Sequence, residues 1–448
     1  MISERTQQLI QADLKYHVHP FCVVGETLGI VLEKSHGIYL VDTEGKEYID
    51  LSSQLVCSNL GHKCKAIIDA VTEAMNSIDY VTSYYGITNP YAIELSRKLE
   101  EIMPGNLRHF FYTSGGSEAI DSALKIARSY WYYKGQPNKY KIISLYHCYH
   151  GLSGYSTHVT GLGAGIMHNP FGPPPTGFLR VPSYYSYRSM FGDVPDSGML
   201  SARFLENVIR EEGPDSIAVF IAEPILGSAG VIEPPPEWWP MVMEICNRYN
   251  ILLITDEVMT GFARTGKMFA SEHWDIRPDI MTMAKGITSS VIPFAAVAFT
   301  DEVYSAFKGK LFAHGFTYTG HPIGCAAAIA AIDYYAKENL VEHAAELGKH
   351  IKERLENEFL PLPCVGLVEG RGLFQAIELV NNKETKQPLL REVREELWRK
   401  LFEYGLFTRL VGPRSNRLQI CPPCIITLEE VDKALDILQP IIADLKPR

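Results

Sequence analysis

At 448 residues the chain is too long for a single compact core and calls for two linked domains. Its 46% apolar and 21% charged fractions are ordinary for a globular protein. A net charge of -10 excludes the broad positive surface that nucleic acid or anionic lipid would require, so any bound phosphate must be held by a local site.

The first 21 residues, MISERTQQLIQADLKYHVHPF, contain no apolar run of signal-peptide type, and nowhere do eighteen apolar residues follow one another. The nine cysteines are scattered, which suggests reduced thiols and a cytoplasmic setting. His17 and His19, and later His147 and His150, lack a carboxylate or Cys/His pair at zinc-site spacing, so no metal is expected. Residues 37–50 read as a hairpin turning at TEGK (43–46), attached to the smaller domain.

Further along, short apolar runs alternate with amphipathic stretches, the pattern of an α/β protein with a mainly parallel sheet. Strands are expected at 110–113, 141–145, 216–222, 251–255 and 294–299. Ala119, Ile120, Ala123, Leu124, Ala127, Tyr130 and Trp131 share one face of a helix beginning near Ser117, and residues 239–249 form another. Two proline-rich stretches, NPFGPPP (169–175) and EPPPEWWP (233–240), read as surface crossovers or subunit contacts. After about residue 326 come helices at 325–336 and 341–358, strands near 372–379 and 417–421, and a final helix at 428–444. The expected division is 1–60 as an N-terminal segment of the small domain, 61–325 as the large domain and 326–448 as the C-terminal small domain. Cys421 and Cys424 in CPPC read as a bend between strands, not a redox pair. Residues 160–165 (TGLGAG) mimic part of a dinucleotide fingerprint but lack its strand–helix frame.

Four segments carry chemistry. TSGGSEAID (113–121) leads a strand into a helix, and its glycines and unpaired N–H groups suit a phosphate as well as they suit an ordinary cap. It lacks the lysine of a nucleoside-triphosphate loop. ILLITDEV (251–258) places an acidic pair at the C-terminal end of a buried strand, where open sheets bind ligands and where a carboxylate can face a protonated ring nitrogen. DIMTMAKGIT (279–288) sets Lys285 after an apolar run, and desolvation there would make its amine nucleophilic. FAHGFTYTGHP (312–322) is a polar and aromatic lead-in to an alanine-rich helix.

In this order, with HPF at 19–21, YHG at 149–151, AEP at 222–224 and AKG at 284–286, the sequence resembles the class III pyridoxal-phosphate aminotransferases of fold type I. It is most similar to their ω-amino-acid or amine:pyruvate branch. The resemblance implies a large domain around a mainly parallel sheet, with a smaller α/β domain built from both chain ends. It implies pyridoxal 5′-phosphate on Lys285 as a Schiff base, Asp256 on the ring nitrogen, Tyr149 and Val258 on the two ring faces, and Glu223 near the ring hydroxyl. Gly116 and Ser117 would bind the phosphate. Thr317 and the Phe316 backbone would reach the phosphate of a neighbouring subunit, which implies a homodimer or a tetramer. Substrate would meet Phe21, Val56, Tyr85 and Arg409, with Arg414 and Arg417 as alternatives for the arginine. Gln419 stands where ornithine-type members carry arginine, against an ornithine or 4-aminobutyrate pocket.

The implied reaction is ping-pong transfer from β-alanine, taurine, a diamine or an arylalkyl amine to a keto acid, pyruvate foremost. A racemase, epimerase or aminomutase of the same fold, and a non-catalytic binding protein, are the alternatives.

Overall fold

The computed structural model describes residues 2–163 and 169–445. The N-terminal hairpin forms as its alternation dictates: β1 (Leu32–His36), β2 (Tyr39–Asp42) and β3 (Glu47–Asp50) are antiparallel neighbours. At its turn, Asp42 Oδ1 accepts from the amides of Glu44 and Lys46, both at 2.9 Å, and Gly45 takes a φ of 81°, which glycine adopts without strain.

The large sheet contains β4 (Leu107–Thr113), β5 (Lys141–Leu145), β6 (Phe178–Val181), β7 (Ile217–Ala222), β8 (Leu252–Asp256), β9 (Ile280–Met283) and β10 (Ala295–Thr300). Their order is β4-β10-β9-β8-β7-β5-β6. Only β10 runs against its neighbours. Every residue of β7 and β8 is buried, as continuous apolar runs demand of strands covered on both faces. The helix Gly116–Tyr133 buries all seven residues of its expected apolar face against this sheet.

The last third of the chain adds β11 (Val365–Arg371), β12 (Phe374–Asn382), β13 (Gln387–Pro388), β14 (Leu406–Phe407), β15 (Leu410–Val411) and β16 (Arg417–Ile420). β11, β12, β16 and β15 make an antiparallel sheet in that order, with β13 on β12. β14 instead pairs parallel with β3, so both ends of the chain build the smaller α/β domain. Helices Pro322–Lys337, Leu340–Arg354 and Leu428–Ala443 accompany these strands.

Several expectations need correction. The CPPC segment joins β16 to the helix Leu428–Ala443 and is not a bend between strands. Both thiols are buried, which pushes the Cys421 thiol up to about 11 and raises that of Cys424. The EPPPEWWP segment is no surface crossover. Glu233 accepts from Gly370 N and ion-pairs with Arg371, while Trp238 and Trp239 are fully buried in a helix, Trp238–Arg248. Nor do His17 and His19 lack a carboxylate. Asp13, on the helix Glu4–Tyr16, meets their rings at 3.1 and 2.7 Å. The last two residues of TGLGAG, Ala164 and Gly165, lie outside the described residues. All nine cysteines are free, and no helix among the described residues is long and apolar enough to cross a membrane.

Candidate active site

The parallel strands all deliver their C-terminal ends to one side, and there the chain encloses a cavity of about 350 Å³. Gly116, Ser117, Tyr149, Glu223, Asp256, Val258 and Lys285 all line it. A larger cleft of about 930 Å³, bounded by Ser83–Thr88 and Leu311–Gly315, holds neither Lys285 nor the two carboxylates.

Lys285 follows β9 by two residues and opens a tight turn with φ 49°, an uncommon left-handed value for a side-chain-bearing residue. Its carbonyl accepts from Ser290 N at 3.1 Å, which holds the turn. Gly286 lets this turn come close to its neighbours. A Cβ there would sit 2.6 Å from Asn59 Nδ2 and 2.9 Å from Phe262 Cβ. Burial lowers the Lys285 amine to about 8; Arg409 assists, while Cys57, Asp256 and Glu223 oppose.

The acidic pair splits its duties. Asp256, at the end of β8, points into the cavity and accepts from Val258 N at 3.0 Å and Thr282 Oγ1 at 3.2 Å. His150 Nδ1 lies 2.7 Å from Asp256 Oδ2. Burial opposes a charged His150, but Cys148 and the Asp256 carboxylate outweigh it and hold the imidazole well above its ordinary value. Glu257 turns away, into a buried net of Thr260, Ser271 and the amides of Ala270 and Ser271. Glu223, just past β7, accepts from Tyr149 N at 2.9 Å and Gly227 N at 2.8 Å, and burial raises it to about 7.

The helix start at Gly116 presents free amides, with Ser117 Oγ accepting from Leu152 N at 3.3 Å. A Cβ on Gly116 would crowd Val258 Cγ1 at 3.1 Å, and one on Gly151 would lie 2.2 Å from Ser117 Oγ. These glycines keep the cradle open. His150 was missed by sequence reasoning, which weighed it only as a metal ligand; its place inside the YHG motif was the available signal.

Not every expected residue enters the cavity. Phe21 is 74% exposed and Tyr85 95% exposed, and Thr317 is also exposed. Val56 is buried in a small apolar cluster with Met259, which does line the cavity. Phe316 and Thr317 lie outside it. Arg409 stands behind the lining, close enough for its charge to act on Lys285. The alternatives to Arg409 have different surroundings. Arg417 is fully buried between Glu369 at 2.8 Å and Glu378 at 3.1 Å, and Arg414 lies on the exposed loop after β15.

Residues 23–442 match the model of the class-III aminotransferase family. The chain belongs to that family. It is therefore a pyridoxal-phosphate-dependent transaminase, and a lysine, two carboxylates and a helix start line one cavity. Its relatives include the putrescine–pyruvate aminotransferase of Pseudomonas aeruginosa, 34% identical across 94% of this chain and 93% of that protein. The vanillin aminotransferase of Capsicum annuum is also 34% identical, over 94% and 92%. Among solved structures, a transaminase from a marine Virgibacillus superposes with a TM-score of 0.92 at 37% identity, covering 98% and 99% of the two chains. An (S)-enantioselective omega-transaminase from Thermomicrobium roseum gives 0.92 at 35%, over 98% of each.

Proposed function

We propose that this class-III aminotransferase moves the amino group of an ω-amino acid or amine to pyruvate, in two half-reactions at one site. The observation that carries the reading is the Lys285 cavity, where a lysine softened by burial, two buried carboxylates and a helix start converge, with an unneutralised arginine behind them. A relative named for putrescine, a diamine, and one named for vanillin, an aryl aldehyde, support an amine or carbonyl partner without a carboxylate, and the first also names pyruvate.

Pyridoxal 5′-phosphate, when bound, supplies an electrophilic carbon and a ring that withdraws electrons. Gly116 and Ser117 would hold its phosphate, Tyr149 and Val258 would cover the ring faces, and Asp256, braced by His150, would keep the ring nitrogen protonated. Glu223 orients from the side of the ring hydroxyl. Lys285 Nζ would tether the cofactor and, once the donor's amine has displaced it, would take the proton from the donor's nitrogen-bearing carbon. Arg409 receives the carboxylate of the keto acid through its planar fork.

A homodimer completes the site: exposed Phe21, Tyr85 and Thr317 and half-buried Phe316, which do not line their own cavity, serve that of a second copy. We place the domain division at 1–60, 61–325 and 326–448, because all seven strands of the large sheet fall within the middle segment. The free thiols support a cytoplasmic setting.

The test is a donor screen. The purified enzyme receives β-alanine, taurine, putrescine or an arylalkyl amine with pyruvate, and alanine is measured. Loss of optical activity by an amino acid with no alanine formed would replace the transaminase reading with a racemase. Lys285→Ala must abolish both turnover and the cofactor's visible-edge band; turnover retained by that variant would overturn the assignment.

A further inference from the structure

Arg409 is held in an unusual way. Its side chain is half-buried, burial lowers its pKa, and no carboxylate lies within 4 Å among the described residues. Its Nε is buried without a hydrogen-bond partner. Asp50, whose charge acts on it, is already taken by Gln54 N, Ser52 N and the His62 ring. The side chain's one bond runs from Nη2 to Gln419 Oε1 at 2.7 Å. A guanidinium half-buried with an unpartnered Nε and no counter-charge is a costly arrangement unless an anion comes to pair with it.

Gln419 is the fixed partner in this pair. It lies fully buried on β16, directly across from Arg409, and Gln419 N donates to Arg409 O at 3.1 Å. Thr408 Oγ1 donates to Gln419 O at 2.5 Å. Its side-chain nitrogen donates to Gly227 O at 3.3 Å, so its oxygen must be the end that faces Arg409. Gly227 N in turn donates to Glu223. Hydrogen bonds thus link the arginine, through a neutral amide and the backbone of Gly227, to the carboxylate beside the cofactor site.

We infer that Gln419 is a positioning residue: it fixes the Arg409 fork toward the cavity while leaving its charge unspent for the carboxylate of the substrate. An amide oxygen accepts one N–H and carries no net charge. A carboxylate at the same place would accept the same bond and also neutralise the arginine, in competition with the keto acid. The inference rests on the reading that Arg409 binds the acceptor's carboxylate, and it makes Gln419 a determinant of the preference for carboxylated over uncharged substrates.

The experiment compares kcat/KM for pyruvate with that for an arylalkyl amine in single half-reactions of the holoenzyme, for Gln419→Glu, Gln419→Leu and Arg409→Ala. Gln419→Glu, nearly isosteric, is expected to lower the pyruvate value about tenfold more than the amine value, chiefly through KM. Gln419→Leu, which removes the bond but adds no charge, should shift the ratio the same way by less, and serves if the glutamate variant folds poorly. A parental ratio in both variants, or equal losses on both substrates, overturns the inference. If Arg409→Ala leaves KM for pyruvate untouched, the arginine reading itself falls. If Arg409→Ala raises that KM while the Gln419 variants keep the parental ratio, only the role of Gln419 falls.

Discussion

Lys285→Met, made in the cofactor-free enzyme, should stabilise the protein. The parent amine must be desolvated on folding, which moves it from an ordinary 10.5 to about 8. Between those values the unfolded chain binds a proton that the folded chain does not, so parental stability rises with pH across that window. Below pH 8 the full cost is present: a gap of about 2.5 at about 1.36 kcal/mol each gives up to about 3 kcal/mol. Methionine has similar length and no charge, so at pH 7 the variant should gain up to about 3 kcal/mol, shrinking to about 1.4 kcal/mol at pH 9.5. Denaturant titrations at both pH values measure this. Equal stability of parent and variant at pH 7, or a gain that does not fall at pH 9.5, would refute the claim that Lys285 is poised by burial. A parallel signature lies in reconstitution. The rate at which the cofactor-free protein takes up pyridoxal 5′-phosphate should climb with pH and level off just above 8, not near 10.5.

Gly151→Ala should weaken cofactor binding by about tenfold or more, because its Cβ would drive into Ser117 Oγ and its φ of +114° suits only glycine; absorbance titration with pyridoxal 5′-phosphate reads the change. His150→Phe strips Asp256 of its 2.7 Å partner and should lower the melting temperature, with a cost of about 1–3 kcal/mol, together with turnover; unchanged values for both would remove His150 from the site. Arg417→Ala leaves Glu369 and Glu378 buried without their counter-charge and should cost about 3–5 kcal/mol in a denaturant titration.

The elements that could be foreseen were those with one dominant physical cause. β5 matched its expected range because an apolar run bounded by polar turns has few other uses, and the helix at Gly116 declared itself by spacing alone. β6 and β11 escaped notice since Phe178–Val181 is only four residues long with an arginine among them, Val365–Arg371 mixes charged and glycine residues into a short run, and only pairing with β5 and β12 makes strands of them. Within the site, the residues carried by one strand end or one helix start were legible, because their chemistry is local. Arg417 and Gln419 were not: they lie two residues apart on one strand, yet one spends its charge on two glutamates while the other is an amide that leaves a neighbour's charge free. That difference depends on Glu369, Glu378 and Gly227, all distant in sequence.

The parallel pairing of β3 with β14 has a consequence for how the protein is made. Ile49 waits for Leu406, and Lys46 for the carbonyls of Phe402 and Glu403. At ribosomal rates of about 5–20 residues per second, the finished hairpin spends roughly 20 to 70 s with that edge unpaired. An open edge invites pairing with another nascent chain. Lys46, just before β3, and Glu47 set charges beside that edge, a disposition that discourages such encounters until the carboxy-terminal third arrives to close the sheet.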